Sequence, residues 1–450
     1  MLLSAGAQGQ RPGRDRLYPV SLALSGSALA TAADGTPHIL YPSTVDWLRH
    51  TWREGDRWRD EAVEDEISTC GRRSIVVDGL GRPHIAYTAR FLVYGVRTDA
   101  GWQLTEVATT IGDAAIAFRP GDRPALLHDA PNGNLELLYL DDEGVWTVRH
   151  TGLVGFVGNE PSLAFDSTGS AHLLFFRDFV LHHATDASGT WVETALSGAP
   201  FLTGALALDP QGRPHVAVGK STTQPRSGLF HHWHDGSGWR SEEILPDGDS
   251  FPSRHLRGLH CDEAGHLFAS YTDALYRGIH LMSYPRYAYH DGTRWRVGYS
   301  RLGPYASVTS AALASLGEIR QVCVASRLLL LTFSLPDLSA EWEAPGSLPE
   351  GEGLRARGTL RLRNLGAGRS RPTRVEFYLS DDDRLDEGDE RVGAGRRLDG
   401  IRPGREREFA VSLALPAAAA GRRLLAVVDP AERRDDLDRP NNTAALLLGD

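Results

Sequence analysis

The chain has 450 residues, 41% of them hydrophobic, with a formal net charge of −10 at pH 7 and a sequence pI of about 5.9. This length fits two or three ordinary domains, or one large repeat domain with a smaller neighbour. The acidic balance argues against a nucleic-acid partner, which usually requires a basic surface. No stretch approaches the roughly 20 apolar residues of a membrane-spanning helix, so we expect no membrane insertion.

The N-terminal segment has no basic region, and its apolar run is too short for a secretory signal peptide. An intracellular chain and a start further upstream remain alternatives. Three cysteines, Cys70, Cys261 and Cys323, lie far apart and form no CxxC or Cys/His cluster. This pattern predicts neither a disulfide framework nor a zinc site, so we expect small buried residues and no cofactor.

Six tryptophans mark a repeat, because evenly spaced large residues indicate a repeated structural unit. They stand 44, 44, 45, 48 and 56 residues apart, at Trp58, Trp102, Trp146, Trp191, Trp239 and Trp295. Upstream of each lies a Gly-x-x-His turn or a degenerate copy of it, flanked by short β-prone segments. Four short strands per repeat, separated by Gly, Asp and Pro turns, are typical of a β-propeller blade.

The turn pattern occurs seven times, whereas the evenly spaced tryptophans number six. The seventh copy supplies only three strands, whereas an N-terminal β-prone segment, residues 16–24, has no partner in the first repeat. Pairing these two ends removes two open sheet edges at once. We therefore predict an all-β chain with a seven-bladed β-propeller over residues 14–335, closed by an N-terminal strand.

Histidines recur at one strand position in four repeats, at His38, His84, His172 and His215. A metal ring or a catalytic set is one interpretation. However, a residue that recurs in successive units usually serves the unit itself, for example by pinning strands. We predict a structural role for these histidines, and we predict that the tryptophans pack between neighbouring blades.

The repeat lacks the Trp-Asp dipeptide of WD40 repeats and the Gly-Gly doublet of kelch repeats. It resembles the bacterial BNR/sialidase-like propellers across roughly residues 14–335. The Asp-box pattern S-x-D-x-G-x-T-W of that group is not met. In the copy that ends at Trp191, the glycine stands one position too close to the tryptophan.

The C-terminal segment has different landmarks: a Pro-Asp-Leu start, Asn364-Leu-Gly, a Phe-Tyr-Leu-Ser strand with an acidic loop, a Pro-Gly turn and a terminal Asn-Asn pair. This order resembles the CARDB domain, a cell-adhesion-related domain of bacteria. The resemblance implies an immunoglobulin-like β-sandwich over residues 336–450, a spacer or adhesive role, and a secreted or cell-surface location. The acidic loop, residues 381–389, is either a calcium site or a solvated hairpin. We favour the hairpin, because the loop lacks EF-hand spacing and contains Arg384.

Irregular spacing suggests where a ligand site lies. The distance from turn to tryptophan rises from 21–24 residues in the first four repeats to 27 and 30 in the next two. The added length falls in residues 219–228 and 272–286, and the connection 246–257 is also long. Insertions in repeat proteins tend to mark the binding face, although long loops are also tolerated without any function. The candidate ligand-binding residues are Lys220, Arg226, Arg254, His255, Tyr276, Arg277, His280, Tyr284 and Arg286.

Two functions fit this inventory. The first is non-catalytic binding of a glycan or a surface protein, because aromatic rings stack on sugars and arginines grip acidic groups. The alternative is a carbohydrate-active enzyme. A sialidase-like hydrolase needs an arginine triad and a tyrosine, for which Arg90, Arg177 and Arg254 are available. A polysaccharide lyase needs a neutralising arginine and a histidine and a tyrosine that act as the catalytic base, for which His255 and Tyr276 are available. A central channel lined by Ser, Ala and Val would argue against the hydrolase.

Overall fold

A computed structural model describes residues 13–16, 26–43, 48–64, 73–110, 112–156, 162–196, 201–220, 228–245, 253–277, 280–299, 307–315, 318–324 and 328–449. Most of these residues lie in β-strands. Within those ranges the helical elements are two single-turn 3₁₀ helices, Ala417–Ala419 and Arg439–Asn442. Neither of them has the length or the apolar character needed to span a bilayer.

An N-terminal strand and the first three sheets come first in the chain. The strand β1 is Gly13–Arg16, and each of the three antiparallel sheets then takes four consecutive strands in chain order. The first sheet contains β2 (Ala28–Thr31), β3 (Pro37–Pro42), β4 (Leu48–Glu54) and β5 (Arg57–Glu64). The second contains β6 (Arg73–Val77), β7 (Pro83–Thr88), β8 (Leu92–Thr98) and β9 (Gly101–Ala108). The third contains β10 (Ala114–Arg119), β11 (Arg123–Asp129), β12 (Asn134–Leu140) and β13 (Trp146–Val154).

The next three sheets repeat the same order. The fourth contains β14 (Ser162–Phe165), β15 (Ala171–Arg177), β16 (Val180–Thr185) and β17 (Val192–Ala195). The fifth contains β18 (Phe201–Leu208), β19 (Pro214–Lys220), β20 (Leu229–His234) and β21 (Trp239–Leu245). The sixth contains β22 (Ser253–Cys261), β23 (Leu267–Arg277), β24 (His280–His290) and β25 (Trp295–Tyr299).

The seventh sheet joins the two ends of this region. It consists of β26 (Ser307–Ser315), β27 (Glu318–Val324), β28 (Leu328–Ser334) and the N-terminal strand β1, which pairs antiparallel with β28. An N-terminal strand therefore completes the last sheet, but it is Gly13–Arg16 rather than the predicted residues 16–24. Residues 17–24 lie outside the described part of the chain.

The first strands of the seven sheets contact one another in a cycle. Going round, β2 contacts β6, then β10, β14, β18, β22 and β26 follow, and β26 contacts β2 again. The first strands of the seven sheets therefore form a closed ring of contacts, and we call these sheets the ring. Alanine recurs in several of these strands, as in β2, β10 and β26, and β26 also contains serine and valine.

The turns between the first and second strands depend on an aspartate and a glycine. In the second sheet, Oδ1 of Asp78 accepts hydrogen bonds from the backbone N–H groups of Leu80 and Arg82. Gly81 adopts φ of +80°, a left-handed conformation that side chains disfavour. Asp209 and Gly212 repeat this arrangement in the fifth sheet.

The recurrent histidines follow these turns, and two of them hydrogen-bond a histidine of the adjacent strand. His38 bonds His50 through Nδ1 and Nε2 at 3.1 Å, and His215 bonds His231 in the same way at 2.9 Å. Burial, and to a smaller extent the charge of the neighbouring histidine, lowers the pKa of both His38 and His215 to about 4. The rings are therefore neutral at neutral pH, as a histidine–histidine hydrogen bond requires.

The last seven strands form two further sheets around one apolar core. The three-stranded sheet contains β29 (Leu338–Glu350), β30 (Gly353–Asn364) and β33 (Glu406–Pro416). The four-stranded sheet has the order β32 (Glu390–Leu398), β31 (Thr373–Ser380), β34 (Arg423–Val428) and β35 (Thr443–Leu447). Both sheets contribute to one buried cluster that includes Leu360, Phe377 and Leu424.

The C-terminal sheets dock on the sixth and seventh sheets of the ring. Asp291, at the end of β24, forms an ion pair with Arg439, and Arg296 reaches Glu432 at 2.6 Å. Leu437 completes an apolar cluster with Tyr289 and Phe333. Polar and apolar contacts together thus hold the two regions against each other.

Candidate functional site

We call the three segments with added length, residues 219–228, 246–257 and 272–286, the irregular sector. In the structure this sector is more regular than the spacing suggests. Residues 272–286 are not a loop: β23 continues to Arg277 and β24 starts at His280, so these residues extend a β-hairpin. Likewise, β22 starts at Ser253, so Arg254 and His255 lie in a strand rather than in the connection 246–257. The loop prediction was wrong because added residues can lengthen two paired strands as readily as the turn between them.

Three of the nine candidate residues in this sector come together around one carboxylate. Arg254 and Tyr284 both stand opposite Asp273 in the strand register. Oδ1 of Asp273 is 3.3 Å from Nε of Arg254, and Oδ2 is 3.1 Å from Nε of Arg286. The Arg286 guanidinium lies 5.4 Å from the ring centroid of Tyr284. Arg254 is only 1% exposed, so this arrangement fastens three strands together below the surface.

The other candidates are not brought to this carboxylate by any contact that the structure describes. His255 is half-buried and stands opposite Thr272. Lys220, Tyr276, Arg277 and His280 lie in strands, with side chains outside the described part of the structure. Arg226 lies outside the described residues altogether.

Two of the three arginines of the enzyme hypothesis already hold carboxylates of the protein. Arg177 forms an ion pair with Glu193, and Arg254 with Asp273. Arg90 lies in the turn between β7 and β8, against the ring of Phe91. A sialidase-like mechanism requires guanidinium groups directed at the substrate carboxylate. These pairings give the hydrolase hypothesis no support.

The cysteines and the acidic loop do not form a site in the described residues. Burial raises the pKa of the Cys261 thiol to about 12, and Cys323 is fully buried, while Cys70 lies outside the described residues. In the acidic loop, Asp381 accepts a hydrogen bond from Arg422 at 2.8 Å. No group of three or more His, Cys, Asp or Glu side chains in the described ranges is arranged to hold a metal ion.

A different feature stands out between the first and second sheets. We call it the first inter-sheet cluster, and it consists of His38, His50, Trp52, Glu61, Arg97 and Trp102. His50 stacks on Trp52 with ring centroids 4.9 Å apart, and the Arg97 guanidinium covers Trp52 at 4.7 Å. The column of stacked groups is therefore made by the first sheet and closed by a cation from the second.

Glu61 connects the two sheets in this cluster. Its Oε1 accepts hydrogen bonds from Nε of Arg97 at 2.7 Å and from Nε1 of Trp102 at 2.9 Å. Burial raises the pKa of Glu61, but hydrogen bonds from His50 and Arg97 lower it to about 2. The carboxylate is therefore ionised at neutral pH. The side chains of Glu61 and Arg97 are nevertheless 26% and 32% exposed, so the pair can also be reached from solvent.

The exposed side of this cluster lies at a cavity of about 390 Å³. Arg97, Trp52 and the two histidines form one part of its lining. Turn residues of the two sheets, including Asp34, Thr36, Leu80 and Pro83, form the rest. The cavity thus opens between first-to-second and third-to-fourth turns, on the face where the sequence shows short, uniform connections.

A second cluster with the same plan lies between the fifth and sixth sheets. This fifth inter-sheet cluster consists of His215, His231, Trp233, Glu242, His290 and Trp295. His231 stacks on Trp233 at 5.0 Å, and Oε1 of Glu242 accepts a hydrogen bond from Nε1 of Trp295 at 2.9 Å. Trp295 also meets His231 edge-on at 5.4 Å.

The sequence contains a pattern that indicates both clusters and that is separate from the series of six evenly spaced tryptophans. The pattern His-x-Trp-x5-Trp-x2-Glu runs from His50 to Glu61 and again from His231 to Glu242. Trp52 and Trp233 are additional to the regular series. In both copies a glutamate stands three residues after the tryptophan of that series. A search for patterns that occur in only some of the repeats would have identified both clusters.

No protein-family model and no curated protein sequence matches this chain. Among solved structures, the BP39L lectin of Burkholderia pseudomallei is 12% identical with a TM-score of 0.52, covering 69% of this chain and 95% of its own. A fucoside complex of the SapL1 lectin is 12% identical (TM-score 0.42; 63% and 98% covered), and one of the Aleuria aurantia lectin is 14% identical (0.42; 64% and 96%). Only the first TM-score exceeds 0.5. The likeness to it establishes the fold: an all-β chain of many four-stranded antiparallel sheets with β-propeller architecture.

Proposed function

We propose that the ring is a seven-bladed β-propeller over residues 14–335 and that residues 336–450 form an immunoglobulin-like β-sandwich. The cycle of contacts between the seven first strands supports the first part of this proposal. The single apolar core shared by the two C-terminal sheets supports the second.

We further propose that the protein is a non-catalytic carbohydrate-binding protein and that the first inter-sheet cluster is its binding site. The observation that carries this proposal is the partly exposed ion pair of Glu61 and Arg97, whose arginine lines, together with Trp52, a cavity large enough for a sugar residue. The fold supports it as well, because a lectin shares this architecture.

The chemistry of the pair suits a hydroxyl-rich ligand. A sugar hydroxyl both donates and accepts hydrogen bonds, so adjacent hydroxyls can donate to Glu61 while accepting from the guanidinium of Arg97. Such charge-assisted bonds are shorter and about twice as strong as neutral ones. The ion pair is formed before the ligand arrives, so little side-chain ordering is needed on binding. Leu80, which is 79% exposed, offers an apolar wall for the less polar side of a sugar ring.

Glycan-array binding tests this proposal. Wild-type protein is compared with Arg97→Ala and Glu61→Gln, and with Arg123→Ala as a matched control for the loss of an exposed, ion-paired arginine of the same ring. We expect loss of signal in the first two variants and none in the control. Equal binding by all four proteins would refute the site.

The irregular sector remains a second proposed contact region, on the residues from Lys220 to Arg286 named above. Tyr276→Ala and Arg286→Ala, measured on the same array, separate the two regions. If these variants lose binding while Arg97→Ala retains it, the ligand site lies in the irregular sector instead.

We also propose that the protein acts at the cell surface or is secreted, with the C-terminal region as a spacer that presents the ring. The support is the resemblance of that region to CARDB domains. Surface labelling of intact producing cells tests this point, and a signal confined to lysed cells would contradict it.

A further inference from the structure

The first and fifth inter-sheet clusters are equivalent position by position. Trp52 stands opposite His38 in the strand register, and Trp233 stands opposite His215. Arg97 stands opposite Trp102, and in the sixth sheet His290 stands opposite Trp295. The clusters therefore differ mainly at one place, where the first has an arginine and the fifth has a histidine.

This exchange changes the surroundings of the stacked tryptophan. In the first cluster the guanidinium of Arg97 covers the Trp52 ring. In the fifth, His290 lies instead against Trp295, with ring centroids 5.6 Å apart. Within the described ranges, the only ring or guanidinium that contacts Trp233 is His231 on one face, and Trp233 is partly exposed.

The carboxylate of the fifth cluster changes in the same way. Oε1 of Glu242 accepts from His231 at 2.8 Å and from Trp295 at 2.9 Å. Its Oε2 has no described partner, whereas Oε2 of Glu61 accepts from Nη2 of Arg97 at 3.3 Å. The Glu242 side chain is 35% exposed. Within the described residues, this carboxylate oxygen and the second face of the Trp233 indole therefore have no partner of the kind that Arg97 supplies in the first cluster.

We propose that the fifth inter-sheet cluster is a binding site for an alkylguanidinium group, the chemistry of an exposed arginine side chain on a partner. Such a group stacks on Trp233 and donates to Oε2 of Glu242, as Arg97 does on Trp52 and Glu61 within this molecule. The site is separate from the first cluster and does not depend on that cluster binding a sugar.

The internal precedent favours guanidinium over other ligands. A guanidinium is planar, is weakly hydrated, and offers several N–H donors in a fixed geometry, so it stacks and donates at the same time. An ammonium group is a compact, strongly hydrated charge that cannot stack in this way. Burial lowers the pKa of His290, so its neutral ring does not compete for the carboxylate as a cation at neutral pH.

Fluorine NMR of protein labelled with 5-fluorotryptophan tests the proposal directly. The resonance of residue 233 is assigned from Trp233→Phe, and the full chain is titrated with methylguanidinium, methylammonium and glucosamine. We expect a saturable shift of that resonance with methylguanidinium, with a Kd on the order of millimolar. Methylammonium and glucosamine should bind at least about fivefold more weakly.

Two variants sharpen the test. Glu242→Gln should weaken methylguanidinium binding at least about tenfold, because the charged acceptor is lost. His290→Arg should place a guanidinium on Trp233 from within the chain, which shifts the resonance without ligand and abolishes the response. Both variants are first checked against the wild-type melting temperature.

The reverse exchange supplies a gain of binding. Arg97→His should give the Trp52 resonance a response to methylguanidinium that the wild-type residue lacks. The proposal is overturned if Trp233 does not respond up to about 50 mM methylguanidinium, a limit far above the expected Kd. It is also overturned if Glu242→Gln leaves the response unchanged, or if the ammonium ligands bind as well as methylguanidinium.

Discussion

The irregular sector and the first inter-sheet cluster use the same kind of ion pair for different purposes. In the irregular sector, Asp273 lies between Arg254 and Arg286 in a nearly water-free interior. In the cluster, Glu61 and Arg97 are also paired closely, but both side chains remain partly exposed, and Arg97 lines a cavity. A buried pair is committed to the fold, whereas a partly exposed pair can still meet a ligand. Exposure, rather than residue type, thus distinguishes a site from a structural contact.

The largest expected difference between the regions is in stability. Asp273→Ala removes the carboxylate that lies between two arginine side chains, and breaking a buried pair in this way costs about 3–5 kcal/mol of unfolding free energy. Denaturant titration followed by tryptophan fluorescence measures this loss. A loss below about 1 kcal/mol would place Asp273 with the exposed pairs.

The second largest expected effect is a loss of stability at low pH, caused by protonation of the buried histidines. Burial lowers the pKa of His38 and His215 to about 4 and that of His183 to about 3, against 6.5 in the unfolded chain. Between these values the unfolded chain binds more protons, so stability falls as the pH is lowered from about 6.5 towards 4. We expect each of these histidines to contribute a loss on the order of 3 kcal/mol over this interval. Melting temperatures measured across this pH interval should decline steadily as the pH is lowered. A melting temperature that does not change with pH would contradict the conclusion that these histidines are neutral in the folded protein.

Glu61→Gln is expected to have a smaller effect on stability and a larger one on binding. The amide keeps the shape of the side chain but loses the charge that Arg97 and Trp102 meet. We expect a stability loss of about 1–2 kcal/mol and at least a tenfold weaker glycan affinity. If stability falls as far as in Asp273→Ala while binding is kept, Glu61 is a structural residue like Asp273.

Arg123→Ala should change least. Arg123 pairs with Asp142 at 2.9 Å, and both side chains are exposed. Exposed pairs contribute about 0–1 kcal/mol, so the melting temperature and the glycan signal should both stay close to wild type. A marked loss of binding in this variant would show that a general effect of surface charge underlies the result with Arg97→Ala.

The fold could be predicted from the sequence further than the site could. Tryptophan spacing and the Gly-x-x-His turns are local features, and the sheets from β2 to β28 follow them closely. The closing role of an N-terminal strand followed from edge pairing alone, although its position was off by several residues. The resemblance of the C-terminal region to CARDB domains, and the immunoglobulin-like sandwich it implies, remain a prediction.

The sequence did not indicate the proposed site for a physical reason. Arg97 belongs to the second repeat and Glu61 to the first, and their pairing depends on how neighbouring sheets pack. Loop length drew the prediction to residues 272–286, where the extra residues form paired strands instead. The recurrence of His-x-Trp-x5-Trp-x2-Glu was present in the sequence, but it becomes meaningful only when adjacent sheets are placed side by side.

The most direct test of carbohydrate binding at the first inter-sheet cluster is a calorimetric titration of the strongest array glycan into wild type and Arg97→Ala. The account predicts that the variant retains the wild-type melting temperature within a few degrees and binds at least about tenfold more weakly, as expected for loss of charge-assisted hydrogen bonds. Affinities within about twofold of each other would contradict it.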